Sequence, residues 1–103
     1  MSELTASINR LAKSGEALAM AERDYKVVLR QHALKLRVDN MPVTLINNIV
    51  YGIDEVAEKR FKRDVAEATY KANQEHINIC KLKLRLLEAQ LSREWGHAGK
   101  GDL

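Results

Sequence analysis

Three histidines, a single cysteine and two basic clusters are the side chains of this sequence most able to do chemistry. His32, His76 and His97 form no H-x-x-x-H pair, and no cysteine–histidine spacing reads as a zinc site. His32 and His76 fall on apolar helical stripes, where a partly buried, hydrogen-bonded imidazole is the simpler role. Cys80 also falls on an apolar face and reads as core packing. No glycine-rich phosphate loop, nucleophile motif or carboxylate pair stands out. The expectation is a chain with no catalytic, cofactor-binding or metal-binding residue, and therefore no enzyme.

Lys59, Arg60, Lys62 and Arg63 place four cations in five positions, and Lys81, Lys83 and Arg85 alternate with leucines. Either stretch could contact phosphates. Local pairing explains the first more simply. Glu55–Lys59, Glu58–Lys62 and Glu67–Lys71 are i,i+4 pairs in the favoured order, as is Glu22–Lys26 on the first helix. The second stretch flanks an apolar face, which its methylene stems can cover. Lys and Arg number 17 against 14 Asp and Glu, for a formal charge of +3. That excess is too small to imply nucleic acid on its own. Nucleic-acid contact by these seven residues is the alternative, not the expectation.

The elements that carry these residues are long helices. From Ile53 to Trp95 there is neither proline nor glycine, and apolar residues recur at steps of three and four. This predicts a second helix capped by Asp54, with Glu55 and Glu58 in the first turn, where the helix dipole favours negative charge. One stripe reads Ala57, Phe61, Val65, Ala68, Ala72, His76, Ile79, Leu82, Leu86, Ala89. Beside it, from residue 77, runs Ile77, Cys80, Leu84, Leu87, Leu91, Trp95. One antiparallel partner cannot cover both stripes. Ile77, Leu84, Leu87, Leu91 and Trp95 are therefore expected at an interface between protomers.

The first helix starts at Ser2 or Thr5 and carries Leu4, Ile8, Leu11, Gly15, Leu18, Glu22, Tyr25, Leu29, His32 and Leu36 on its stripe. Gly15, unfavourable in a helix by about 1 kcal/mol against alanine, marks either a bend or a close crossing. Pro42 ends this helix. A short connector helix from Leu45 to Tyr51 follows, capped by Thr44 and stopped by Gly52. It is apolar where loops are normally polar, so Leu45, Ile46, Ile49 and Tyr51 are expected to dock on the hairpin end or on a neighbour. Residues 97–103, rich in glycine, read as a disordered tail after a single domain of residues 1–96.

Hydrophobic residues make up 46% of the 103 positions and aromatics only 5%, which suits slim aliphatic helices. A lone cysteine fits a reducing compartment. Neither a signal sequence nor a membrane-length apolar run is present, so the expected location is the cytoplasm.

Two stretches carry a resemblance. Met41-Pro42-Val43-Thr44-Leu45-Ile46 runs through Gly52 into Glu55-Val56-Ala57-Glu58 and on from Arg60 to Ala68. Leu82 to Leu91 is then followed by Arg93-Glu94-Trp95-Gly96. Together, over about residues 41–96, they resemble a group of small proteins carried by phages and prophages of Gram-positive bacteria. The resemblance implies a phage-encoded cytoplasmic protein, linked to replication, recombination or host takeover. It assigns no chemistry and no site. The chain is also similar in size to small secreted helical hairpins named for a Trp-Xaa-Gly turn. Here, however, the turn between the helices carries Val50-Tyr51-Gly52, and Trp95 lies at the far end, so that reading fails.

The sequence therefore points to an all-α fold: an antiparallel, coiled-coil-like hairpin of two long helices with a short connector helix, forming a homo-oligomer. The expected function is a non-catalytic interaction protein acting on a host or phage protein, with no cofactor and no membrane. A nucleic-acid-binding accessory protein of phage DNA metabolism is the alternative, and so is a helical oligomer that sequesters a small molecule.

Overall fold

The structure, a computed structural model, describes residues 2–101, with side chains described through Gly96. The tail expected at 97–103 therefore lies outside the fully described residues. The fold is all-α among the described residues. Helix α1 spans Glu3–Val38, α2 spans Val43–Ile49, a 3₁₀ turn spans Val50–Gly52, and α3 spans Asp54–Gly101. The long helices run antiparallel in a rod 87 × 27 × 15 Å. Among the described residues, no helix is long and apolar enough to cross a membrane.

Local chemistry sets the ends. Ser2 caps α1, its Oγ accepting from the Thr5 N–H at 3.1 Å. At the other end Asn40 adopts φ 61°, the left-handed conformation that asparagine tolerates better than most residues. The Asn40 N–H then reaches Arg37 O at 3.1 Å and the Met41 N–H reaches Leu36 O at 3.2 Å. That pair of bonds is a Schellman stop, so α1 ends through Asn40 before Pro42 acts. Three expected caps differ. Pro42 rather than Thr44 precedes α2, its carbonyl accepting from Leu45 and Ile46. Ile53 rather than Asp54 precedes α3, its carbonyl accepting from the Ala57 N–H at 2.8 Å. Gly52 takes no positive φ, because the 3₁₀ turn leads into extended Ile53 without one.

The core sits at the connector end. Tyr25, Val28, Val50 and Val56 form it, with Leu29, Ala33, Leu36 and Ile53 packed against them. Burying a valine side chain contributes about 1.5–3 kcal/mol, so this small cluster is the main apolar anchor of the single chain. The connector presents one face to the hairpin. Ile46 and Val50, four apart, are buried, whereas Leu45, Ile49 and Tyr51 are exposed. Of the four residues expected to dock, only Ile46 is buried within one chain, because a helix of about two turns can turn only one side inward.

The helices meet along a heptad seam that is rotated from the expected one. On α1 it runs through Leu4, Ser7, Leu11, Ser14, Leu18, Ala21, Tyr25, Val28, His32 and Leu36, all buried or half-buried. On α3 it runs through Val56, Lys59, Arg63, Ala66, Tyr70, Asn73, Ile77 and Cys80. The stripe read as the seam of α3 faces solvent instead: Phe61, Val65, Ile79, Leu82 and Leu86 are exposed, with only His76 half-buried. Ile77, expected between protomers, is buried against α1.

The reason is shape. Gly15 lets the Tyr70 ring close onto α1, and a Cβ there would sit 3.3 Å from Tyr70 Cε2. Gly15 therefore marks a close crossing, and α1 continues unbroken through it. Ser7 and Ser14 leave room for α3, and their hydroxyls donate to Glu3 O and Leu11 O at 2.9 Å. Such back-bonding satisfies a buried hydroxyl without a cross-helix partner.

Candidate functional site

The register leaves one helix longer than its partner. Glu3, in the first turn of α1, lies opposite His76 and Cys80. Helix α3 has 48 residues against 36 in α1, so its last turns run past the start of α1. Every residue from Lys81 to Gly96 is exposed. The heptad does not stop where α1 does. Leu84, Leu87 and Leu91 extend the Ile77–Cys80 line at the same steps of four and three, and Trp95 follows one turn on. On the opposite side of α3, Phe61, Val65, Ala68, Ala72, Ile79, Leu82, Leu86 and Ala89 form a second exposed stripe. Contiguous apolar patches of this length are uncommon on monomers.

The basic residues separate into two kinds. Arg63 is engaged: its guanidinium stacks 4.7 Å from the Tyr25 ring centre and pairs with Asp64 at 2.7 Å. Asp64 holds that guanidinium above its ordinary pKa. Arg60 lies over the Tyr51 ring at 5.9 Å, and Lys59 is half-buried. Lys62 pairs with Glu58 at 3.3 Å, as expected, and Lys71 pairs with Glu67 at 3.1 Å. The first cluster is thus largely occupied in holding the hairpin, and Lys59 and Arg63 are less exposed than their charge suggests. Lys81, Lys83 and Arg85 are exposed on the overhang.

Glu55 takes a different partner from the Lys59 expected. It meets His32 Nε2 at 2.8 Å across the hairpin. The hydrogen bond from His32 holds the Glu55 carboxyl below its usual value.

At the root of the overhang, three further groups converge. His76 Nε2 lies 3.7 Å from Glu3 Oε1. Cys80 Sγ lies 3.7 Å from the same Glu3 oxygen and 3.7 Å from the same His76 nitrogen. These are side chains that could hold a metal ion. The sequence reading missed them. His76 and Cys80 are spaced i,i+4, which puts both on one helix face, and that signal was available. Glu3 joins them only through the register of α1 on α3, which the sequence does not state.

The chain matches no protein-family model, no curated protein and no solved structure.

Proposed function

We propose that this chain is a non-catalytic helical interaction protein of the cytoplasm, whose overhanging α3 takes protein partners, a second copy of the chain first among them. The observation that carries the reading is the segment Lys81–Gly96. It holds Leu82, Leu84, Leu86, Leu87, Leu91 and Trp95, and all of them are exposed. Removing one leucine from water is worth about 1.5–3 kcal/mol, so a helix that lines its open seam in this way gains strongly from a partner. The partner's chemistry follows from the pattern: an amphipathic helix with apolar residues at heptad spacing, laid along Leu84, Leu87 and Leu91. The resemblance to phage and prophage proteins is in keeping with action on a host or phage protein. Lys81, Lys83 and Arg85 lie exposed on the same segment, which makes nucleic acid the competing partner.

Sedimentation velocity on the full chain tests the reading. The expected result is a dimer or larger species at tens of micromolar, dissociated by Leu87→Asp together with Leu91→Asp. A wild-type monomer at that concentration, with no protein retained by the overhang, would overturn it. Binding to DNA that falls steeply with salt and is lost on Lys81→Glu plus Lys83→Glu would favour the competing partner.

A further inference from the structure

We infer that Glu3, His76 and Cys80 form a binding site for a late first-row metal ion, Zn²⁺ foremost, that clasps the start of α1 to α3. The three donor atoms are mutually 3.7 Å apart. A point equidistant from three such atoms lies about 2.1 Å from each, close to the distances of zinc to imidazole nitrogen and carboxylate oxygen. Lifting the ion slightly out of that plane lengthens all three distances toward the ~2.3 Å of a zinc–thiolate bond. A tetrahedral ion then has three protein donors and one position for water or a fourth ligand. Cys80 and Glu3 also line a cavity of about 330 Å³ with Ser2, Leu4, Lys83, Leu84 and Leu87, which gives a fourth ligand room.

The alternative use of these residues is a thiol–imidazole–carboxylate relay, and the geometry argues against it. A relay passes through both ring nitrogens, with the thiol at one and the carboxylate at the other. Here Sγ and Oε1 both face Nε2. Three donors turned toward one centre describe coordination, not a chain of proton transfers.

Local structure supports the same reading. His76 and Cys80 are four residues apart on α3, and Ile77 and Cys80 are buried against α1, which fixes the rotation of that turn. Glu3 is held by the first turn of α1, where Ser2 caps the helix and the buried Ser7 hydroxyl donates to the Glu3 carbonyl. The Glu3 and His76 side chains are partly exposed, which gives an ion a path in. Soft thiolate and imidazole donors select zinc, cobalt or copper over magnesium and calcium, which prefer all-oxygen sites. On binding, the Cys80 thiol releases its proton to solvent and the thiolate becomes the ligand.

Cobalt spectroscopy on the reduced, metal-free full chain decides the matter. The expected result is one Co²⁺ per chain, with a thiolate-to-metal charge-transfer band and the strong visible bands of a tetrahedral ion. Zn²⁺ should displace it stoichiometrically. Cys80→Ser should remove the charge-transfer band, and His76→Gln or Glu3→Gln should weaken Zn²⁺ binding by at least about tenfold in competition with a chromogenic chelator. A wild-type Co²⁺ spectrum without the thiolate band would overturn the inference, and needs no variant to fold. Equal Zn²⁺ affinity in the wild type and all three variants would overturn it as well.

Discussion

The two ends of the rod invest their apolar residues differently. At the connector end, α1, the 3₁₀ turn and α3 together bury Tyr25, Val28, Val50 and Val56, and the surrounding residues are modest in size. At the far end the large side chains are more numerous, yet Leu84, Leu86, Leu87, Leu91 and Trp95 all remain exposed. One end spends its hydrophobicity on the fold of the single chain. The other keeps it available. A count of leucines along the sequence would rank the far end as the more stable, and in one chain the ranking is the reverse. Apolar content stabilises only where the topology supplies a facing surface.

Substitutions can break that contrast, beginning with the largest effect. Val56 is fully buried. Val56→Asp places an unpaired carboxylate in the core and is expected to cost about 3–5 kcal/mol. Leu91→Asp, measured in dilute solution where the chain is monomeric, should cost less than about 0.5 kcal/mol. Urea melts of the two variants at equal concentration check this, and equal losses would mean that the overhang is folded against something in the same chain.

Gly15 sharpens the contrast midway along the rod. Alanine there gains up to about 1 kcal/mol of helix propensity. Its Cβ meets Tyr70 at 3.3 Å, so the ring must move by a few tenths of an ångström. Tyr70 is only half-buried and can yield, so a net stabilisation below 1 kcal/mol is expected from Gly15→Ala. Gly15→Leu should instead separate the helices and lower the melting temperature.

The His32–Glu55 pair tests the connector end by pH. Glu55 has a folded pKa below its ordinary 4.5. Its contribution is therefore present above that value and is lost as pH falls through the lower, folded one. Glu55 is exposed, so the effect is small. Glu55→Gln should lower stability slightly at neutral pH and flatten the acid limb below about pH 4.5, so that the two profiles converge in acid. An acid limb unchanged by the substitution would show that the pair contributes nothing there.

The smallest expected effect is a deletion. Removing everything after Ala89 takes away Leu91 and Trp95, both exposed in a single chain. The melting temperature should not change in dilute solution, whereas any concentration-dependent stabilisation of the full chain should be lost. A lower melting temperature at every concentration would place the overhang in the chain's own core.

Much of the fold was legible in the sequence. The breaker-free run after Ile53, the stop before Pro42 and the apolar connector together define the hairpin. Gly15 announced either a bend or a close crossing, and only the structure decides for the crossing and supplies Tyr70 as its partner. The rotation of the helices was not legible. Helix α3 has apolar residues on two opposite faces, and hydropathy favours the face with the larger ones. The seam uses the other face because α1 offers Ser7, Ser14 and Gly15 there, and because Arg63 can lie over Tyr25. Polar and small residues in a seam are invisible to a search for leucines. The same blindness hid the Glu3 cluster. His76 and Cys80 were in view on one helix face, but the third donor lies more than seventy positions away in the chain.

The unequal lengths of the helices have a practical consequence for anyone who fuses something to this chain. Helix α1 begins at Glu3, beside the cavity that Leu84 and Leu87 help to line. A helical segment joined ahead of Ser2 would be tethered next to Leu84, Leu87 and Leu91. A tether that short corresponds to an effective concentration on the order of millimolar. If the appended residues carry apolar side chains in register with Leu4, they outcompete any free partner present at micromolar levels. Moving a tag from one terminus to the other is then no neutral choice of handle. It sets the valency of the molecule.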